Sequence, residues 1–129
     1  MSEQKHQVPT EIRYDKESRT LTLSYEDGKS WVYTAEYLRV HSPSAEVRGH
    51  APGEEILQVG KEDVVIEKIE PVGRYAVSLK FDDGHDTGIY SWDWLYQLGE
   101  KMDEYWSDYL SRLDAEGIER MTTAERLAT

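Results

Sequence analysis

The sequence predicts a single α+β domain, rich in β-structure: antiparallel β-hairpins, short helices and a helical segment towards the C-terminal end. Three observations predict it. Two stretches alternate apolar and polar residues with the period of a strand, and each is broken by an Asp-Gly turn. Each ends in a hydroxyl residue followed by an amphipathic run, which is how a helix begins. After Ser91 the apolar residues recur at spacings of three and four, the helical period. A chain of 129 residues suits one domain with one ordinary hydrophobic core.

The first unit opens with Ile12 and Tyr14 in a short strand. Leu21, Leu23 and Tyr25 then recur at period two, separated by Thr22 and Ser24. Glu26-Asp27-Gly28-Lys29 turns the chain, because Asp-Gly supplies the positive-φ positions a tight hairpin needs. Trp31 and Tyr33 form the return strand, and Thr34 caps a helix starting at Ala35-Glu36-Tyr37-Leu38. The second unit repeats this plan. Tyr75, Val77, Leu79 and Phe81 alternate, Asp82-Asp83-Gly84 turns, Ile89 and Tyr90 return, and Ser91 caps Trp92-Asp93-Trp94-Leu95. Tyr33 and Tyr90, Thr34 and Ser91, Glu36 and Asp93, Tyr37 and Trp94, and Leu38 and Leu95 stand at one constant offset. An internal duplication and two units built by the same local rules both fit this pattern. The hairpins are expected at about 11–33 and 64–90.

Between the units, 41–63 is rich in Pro, Gly and Ser, with a short strand expected at Ile56, Leu57 and Val59. Val64, Val65, Ile66 and Ile69 read as a further strand, ending before Pro71-Val72-Gly73. Beyond Ser91, Leu95, Leu98, Met102, Tyr105, Tyr109 and Leu113 form one stripe, widened by Trp106 and Leu110, which reads as core packing. Gly99 either divides two helices or is tolerated within one, and Gly117 ends the helix. Trp31, Leu79, Leu95 and Leu98 are expected in the core, with one of Trp92 and Trp94 buried and the other nearer the surface. Residues 1–10 are expected as a disordered lead-in, 11–114 as the domain and 115–129 as a flexible tail.

Composition narrows the function. A formal net charge of −11 argues against binding nucleic acid, which requires clustered Lys and Arg, and against anionic membrane surfaces. The absence of cysteine excludes disulfides, thiol catalysis, thiolate zinc sites and Fe–S ligation by this chain alone. The first ten residues are polar, so no signal peptide is expected, and no apolar run approaches a membrane span. The expected location is the cytoplasm. No phosphate loop, dinucleotide fingerprint, paired-histidine motif or Gly-x-Ser-x-Gly elbow occurs.

Two stretches carry a resemblance. They are Tyr37-Leu38-Arg39-Val40-His41-Ser42-Pro43-Ser44-Ala45-Glu46-Val47-Arg48-Gly49-His50 and Phe81-Asp82-Asp83-Gly84-His85-Asp86-Thr87-Gly88-Ile89-Tyr90-Ser91-Trp92-Asp93-Trp94-Leu95. Together they resemble the gamma-butyrobetaine hydroxylase-like N-terminal domain family, over roughly residues 10–100. That family occurs free-standing in bacteria, as the N-terminal domain of carnitine-pathway 2-oxoglutarate oxygenases, and attached to P-loop ATPases of the Mrp type linked to iron–sulfur cluster handling. The resemblance implies a small β-rich α+β domain; it does not imply oxygenase activity, which in the oxygenases lies in a separate double-stranded-helix domain not expected in this chain. In the oxygenases the domain holds a structural zinc through three cysteines after a Leu-Arg pair and one histidine of the later turn. Here Leu38-Arg39 is followed by Ser42, Ser44 and Val47 at the matching positions, and His85 alone remains, so the zinc does not carry over.

The candidate residues follow from these two segments. His85 among Asp82, Asp83 and Asp86 reads first as a solvated acidic turn with a locally bonded histidine. The alternative is a divalent metal site (iron or zinc) from His85, Asp83, Asp86 and His41. Glu46 and His50 stand four apart, but Gly49 and Pro52 favour a turn there. Ser42 and Ser44 would be nucleophiles only with a positioned base and an oxyanion hole, and Ser42-Pro43-Ser44 reads as a turn or helix cap. The leading reading is a non-catalytic accessory module that contacts a protein partner through Arg39, Ser42, Ser44, Glu46, Arg48, His50 and His85. The family's zinc ligands come from both segments, so the loop 42–50 and the turn 82–86 are expected side by side. Ser42 or Ser44 hydroxyls, and Arg39 or Arg48 pairing with the acids, would hold them together.

Overall fold

The computed structural model describes residues 8–49 and 53–121. Its elements run β1 (Glu11–Asp15), β2 (Thr20–Ser24), β3 (Ser30–Thr34), α1 (Ala35–Val40), α2 (Ala45–Arg48), β4 (Ile66–Val72), β5 (Ala76–Phe81), β6 (Gly88–Ser91), α3 (Trp92–Glu100) and α4 (Met102–Ala115). They form two three-stranded antiparallel sheets, ordered β1-β2-β3 and β4-β5-β6, with the helices completing an α+β domain. Among the described residues no helix is long and apolar enough to cross a membrane.

The two sheets share one construction. In the first turn Tyr25 N–H donates to Lys29 O (2.9 Å) and Gly28 N–H to Tyr25 O (3.0 Å). In the second, Phe81 N–H donates to His85 O (2.9 Å) and Gly84 N–H to Phe81 O (3.1 Å). Each third strand runs straight into a helix. Thr34 Oγ1 accepts Tyr37 N–H (3.0 Å) and Ser91 Oγ accepts Trp94 N–H (3.1 Å), so the last strand residue caps the helix and satisfies one of its orphan donors.

The inward residues of both sheets close one core: Leu21, Leu23 and Tyr33 from the first, Val77, Leu79, Phe81 and Tyr90 from the second, and Leu38, Leu95 and Leu98 from the helices. Three of its tyrosines bury their rings and still place their hydroxyls on backbone carbonyls, whereas the buried Tyr25 hydroxyl has no partner among the described residues. Tyr33 donates to Leu95 O (2.6 Å) and Tyr90 to Leu38 O (2.5 Å). Each unit's strand tyrosine thus bonds the equivalent carbonyl of the other unit's helix. Tyr37 adds a third such bond, to Leu98 O (2.7 Å). Leu38 and Leu98 lie in the last turns of α1 and α3, where carbonyls lack intrahelical donors. Burial raises the pKa of all three hydroxyls, so they stay protonated donors.

Several expectations shift. Trp31 is half-buried, edge-on to Tyr25 and Tyr96, and so forms a wall of the core. Its ring presses on Gly99, where an added Cβ would come within 2.4 Å of it, so Gly99 marks a close approach inside α3. The break to α4 falls at Lys101. Trp92 and Trp94 are both half-buried, because their indole N–H groups reach backbone carbonyls of Arg74 (2.8 Å) and His41 (3.0 Å). Tyr75 precedes β5 and is exposed, as is Leu110 on α4. Ile56, Leu57 and Val59 form no strand: Ile56 N–H goes to Val47 O (2.8 Å), while Gln58 O accepts Tyr109 Oη–H (2.7 Å). β4 runs through Pro71 and Val72, which an edge strand tolerates because the missing N–H faces no ladder partner. After Gly117, Arg120 pairs with the buried Glu36 and Met121 N–H donates to Glu62 Oε2 (2.7 Å).

Replacing Leu95 by Ala should cost about 2–5 kcal/mol, since the residue is wholly enclosed. Tyr90→Phe should cost about 1–3 kcal/mol, because it strands the Leu38 carbonyl in the core. Denaturant unfolding measures both. A loss under about 0.5 kcal/mol in either would place that group outside the core.

Candidate functional site

The chain leaves α1 at Val40 and turns a corner at Ser42-Pro43-Ser44. Ser44 Oγ accepts Glu46 N–H (3.2 Å) and so starts α2. Opposite stands the β5–β6 turn, in which Asp83 Oδ1 accepts His85 N–H (3.1 Å) and Asp82 Oδ1 accepts Val65 N–H (3.0 Å). The two segments meet side by side, as expected, through a chain of polar contacts.

Ser42 Oγ lies 2.8 Å from His85 Nε2, and His85 Nδ1 lies 3.1 Å from Glu46 Oε1. The proton positions follow from the partners. Glu46 as a carboxylate only accepts, so Nδ1 donates to it. Burial, with Arg39 adding to it, lowers the His85 pKa against the opposing pull of Glu46 and Asp83. The neutral ring therefore accepts at Nε2 from the Ser42 hydroxyl. Ser42 Oγ in turn accepts Ser44 N–H (3.2 Å). Beside this chain Ser44 Oγ and Thr87 Oγ1 are 2.8 Å apart, and Thr87 donates to Glu46 Oε1 (3.4 Å).

A second bridge is ionic. Arg39 Nε donates to Asp83 Oδ2 (2.9 Å) and Lys61 Nζ to the same oxygen (2.7 Å), while Arg39 Nη1 reaches Gln58 Oε1 (3.0 Å). Burial alone would raise the Asp83 pKa. Lys61, the His85 N–H and Arg39 together hold it at about 2. Arg48 takes no part in this bridge: its guanidinium lies 4.5 Å over the Trp94 ring.

Serine, imidazole and carboxylate in this order make the hydrogen-bond relay of a nucleophile with its base. The surroundings give it a different role. Ser42 is 1% exposed and His85 5%. Gly88 closes over the hydroxyl so tightly that an added Cβ would lie 2.6 Å from Ser42 Oγ. No reacting carbonyl fits beside that oxygen, so the chain is a cross-link between two segments. The expected solvated turn with a locally bonded histidine is replaced by a buried histidine bonded across the fold.

The four residues proposed as metal ligands are differently placed. His41 donates from Nδ1 to Tyr37 O (2.9 Å) and stacks on Tyr105, Asp83 is engaged by two cations, and Asp86 is exposed. Among the described residues no group of three or more His, Asp or Glu is arranged to hold a metal ion. Nor do the residues fit the zinc of the similar oxygenases: two hydroxyls and the buried, apolar Val47 stand where three thiolates would be needed. His50 lies outside the described residues. Sequence reasoning missed Thr87, Gly88, Lys61 and Gln58. Gly88 carried a signal, since strand alternation puts it on the inward face with Tyr90 and leaves room there for a facing side chain.

Burial lowers the pKa of both His41 and His85 from the ordinary 6.5, so the unfolded chain takes up protons that the folded one refuses. Their contribution is complete above about pH 6.5 and declines as the pH falls below it. Asp83 adds a later loss, as the pH falls from 3.8 towards 2. Unfolding midpoints should therefore drop between pH 7 and pH 5, and less steeply in His85→Gln. His85→Ala should itself cost about 1–3 kcal/mol, by stranding the Ser42 hydroxyl. A midpoint unchanged from pH 7 to pH 5 would contradict the buried neutral histidines.

Comparison with known proteins agrees with this architecture. The family described as gamma-butyrobetaine hydroxylase-like, N-terminal, matches residues 12–96. A protein solved in solution by NMR is 47% identical, with a TM-score of 0.78 over 90% of this chain and 91% of that one. A second NMR structure is 43% identical, also with a TM-score of 0.78, over 95% and 92%. A crystal structure from Acidithiobacillus ferrooxidans ATCC 23270, a protein of unknown function in the DUF971 family, is 41% identical with a TM-score of 0.60 over 70% and 91%. No curated protein matches. The chain belongs to the gamma-butyrobetaine hydroxylase-like N-terminal family.

Proposed function

We propose that the chain is a binding module without catalysis of its own, and that it meets a protein partner through the face formed by α2 and the β5–β6 turn. The observation that supports this reading most is the buried Ser42–His85–Glu46 chain. It spends the reactive groups on holding two loops together, and leaves Glu46, Arg48 and Asp86 exposed on a fixed frame. Charged groups on loops positioned by a rigid scaffold are where recognition tends to sit. Arg39, Ser42, Ser44 and His85 act as positioning residues beneath that face. The P-loop ATPase or iron–sulfur setting of the similar family members suggests the kind of system such a module would serve, in the cytoplasm.

Three measurements test this reading. Affinity capture from the native cell should recover a specific partner with the natural protein and lose it with Asp86→Lys, at an exposed position outside the Ser42–His85–Glu46 chain. Equal capture by both would overturn the proposed face. A fluorophosphonate probe should leave Ser42 unlabelled; stoichiometric labelling would show an active nucleophile. Protein purified without a histidine tag should carry no stoichiometric iron or zinc; a full equivalent would favour a metal site built on His85, Asp83, Asp86 and His41.

A further inference from the structure

A cavity of about 250 Å³ opens behind α2, between the segment 55–58 and the helices α3 and α4. Its walls are aromatic, with Trp94, Tyr105, Tyr109 and the ring of His41, and two cations stand at it, Arg48 and Arg112. That is unusual in a chain of net charge −11. Arg13, Arg19, Arg39 and Arg120 each pair with a carboxylate. Arg48 and Arg112 form no ion pair among the described residues.

Both guanidinium groups are held without being consumed. Arg48 stands over Trp94, 4.5 Å from the ring centroid, and the Trp94 N–H is fixed on His41 O (3.0 Å), so the cation is backed by a ring held in place. Arg112 spends one N–H on the backbone oxygen of Glu55 (3.2 Å). Tyr109 is tied to Gln58 O (2.7 Å) and Tyr105 to Gln97 (2.6 Å), so the aromatic walls are fixed as well. Pre-set donors beside apolar walls are the usual make-up of a small-molecule site.

We propose that this cavity binds a small, flat organic carboxylate, its anion held by Arg48 and Arg112 and its ring against Tyr105 and His41. Size and charge set the class. The cavity is smaller than the roughly 300–1,000 Å³ of sites for drug-sized ligands, which suits a single ring. Glu55 also lines it, and both cations act on its carboxylate, which offsets one unit of their charge. What remains matches a monoanionic carboxylate better than a dianionic phosphate.

Benzoate is the probe, with neutral benzamide as its isosteric control. The readout is the Trp94 indole N–H resonance of the intact chain. Benzoate should shift it saturably, and benzamide should bind at least about tenfold more weakly. Arg112→Gln, at an exposed position, should weaken benzoate by a similar factor while leaving resonances away from the cavity in place. Arg112→Lys should fall between, because it keeps the charge and loses the planar fork. An absent or non-saturating shift, equal binding of benzamide, or unchanged affinity in Arg112→Gln would overturn the proposal.

Discussion

The structure depends on a reciprocal pair of buried hydrogen bonds. Tyr33 of the first sheet donates to a carbonyl of α3, and Tyr90 of the second donates to the equivalent carbonyl of α1. Each sheet is only three strands wide and cannot bury its apolar face alone. The exchange of tyrosines ties each sheet to the other unit's helix. In a dry core such a bond holds registration as well as energy, since a slip would leave a hydroxyl and a carbonyl unpaired. Leu21, Leu23, Leu79, Leu95 and Leu98 then pack around a frame already fixed in position.

That frame sets where the polar face lies. α1 delivers Ser42 just past its end, and β6 begins at Gly88, whose missing side chain lets the serine hydroxyl approach. The same helix carries Arg39 to Asp83. The loop and the turn are thus joined by one hydrogen-bonded chain through the His85 imidazole and by one ionic bridge. Acceptance of the Ser42 hydroxyl at Nε2 calls for an uncharged imidazole, which burial favours. The ionic bridge requires an ionised Asp83, which Lys61 and Arg39 secure. The two links therefore respond to pH in different ranges.

The polar face and the aromatic cavity share α2. Val47 is buried beneath it, Glu46 bonds the histidine on one side, and Arg48 covers Trp94 on the other. A four-residue helix has little stability of its own, so its placement comes from these tertiary contacts.

The sequence by itself determined the α+β class, the two hairpin-to-helix units, the caps at Thr34 and Ser91, and the stop at Gly117. These rest on local chemistry: alternation, turn dipeptides and side chains that bond backbone groups a few residues away. It also brought loop 42–50 and turn 82–86 together, through the resemblance to a family whose metal joins them. Tertiary structure alone decided how they are joined. Ser42 and His85 are far apart in sequence, and nothing near either shows that both will be buried, or that Glu46 will be the histidine's second partner. Trp31 and Tyr75 read as inward by alternation, but the outcome depended on what each strand packs against and where it starts. Local pattern assigns a side chain to a face. Whether that face is closed, and by which partner, is set by contacts between distant segments.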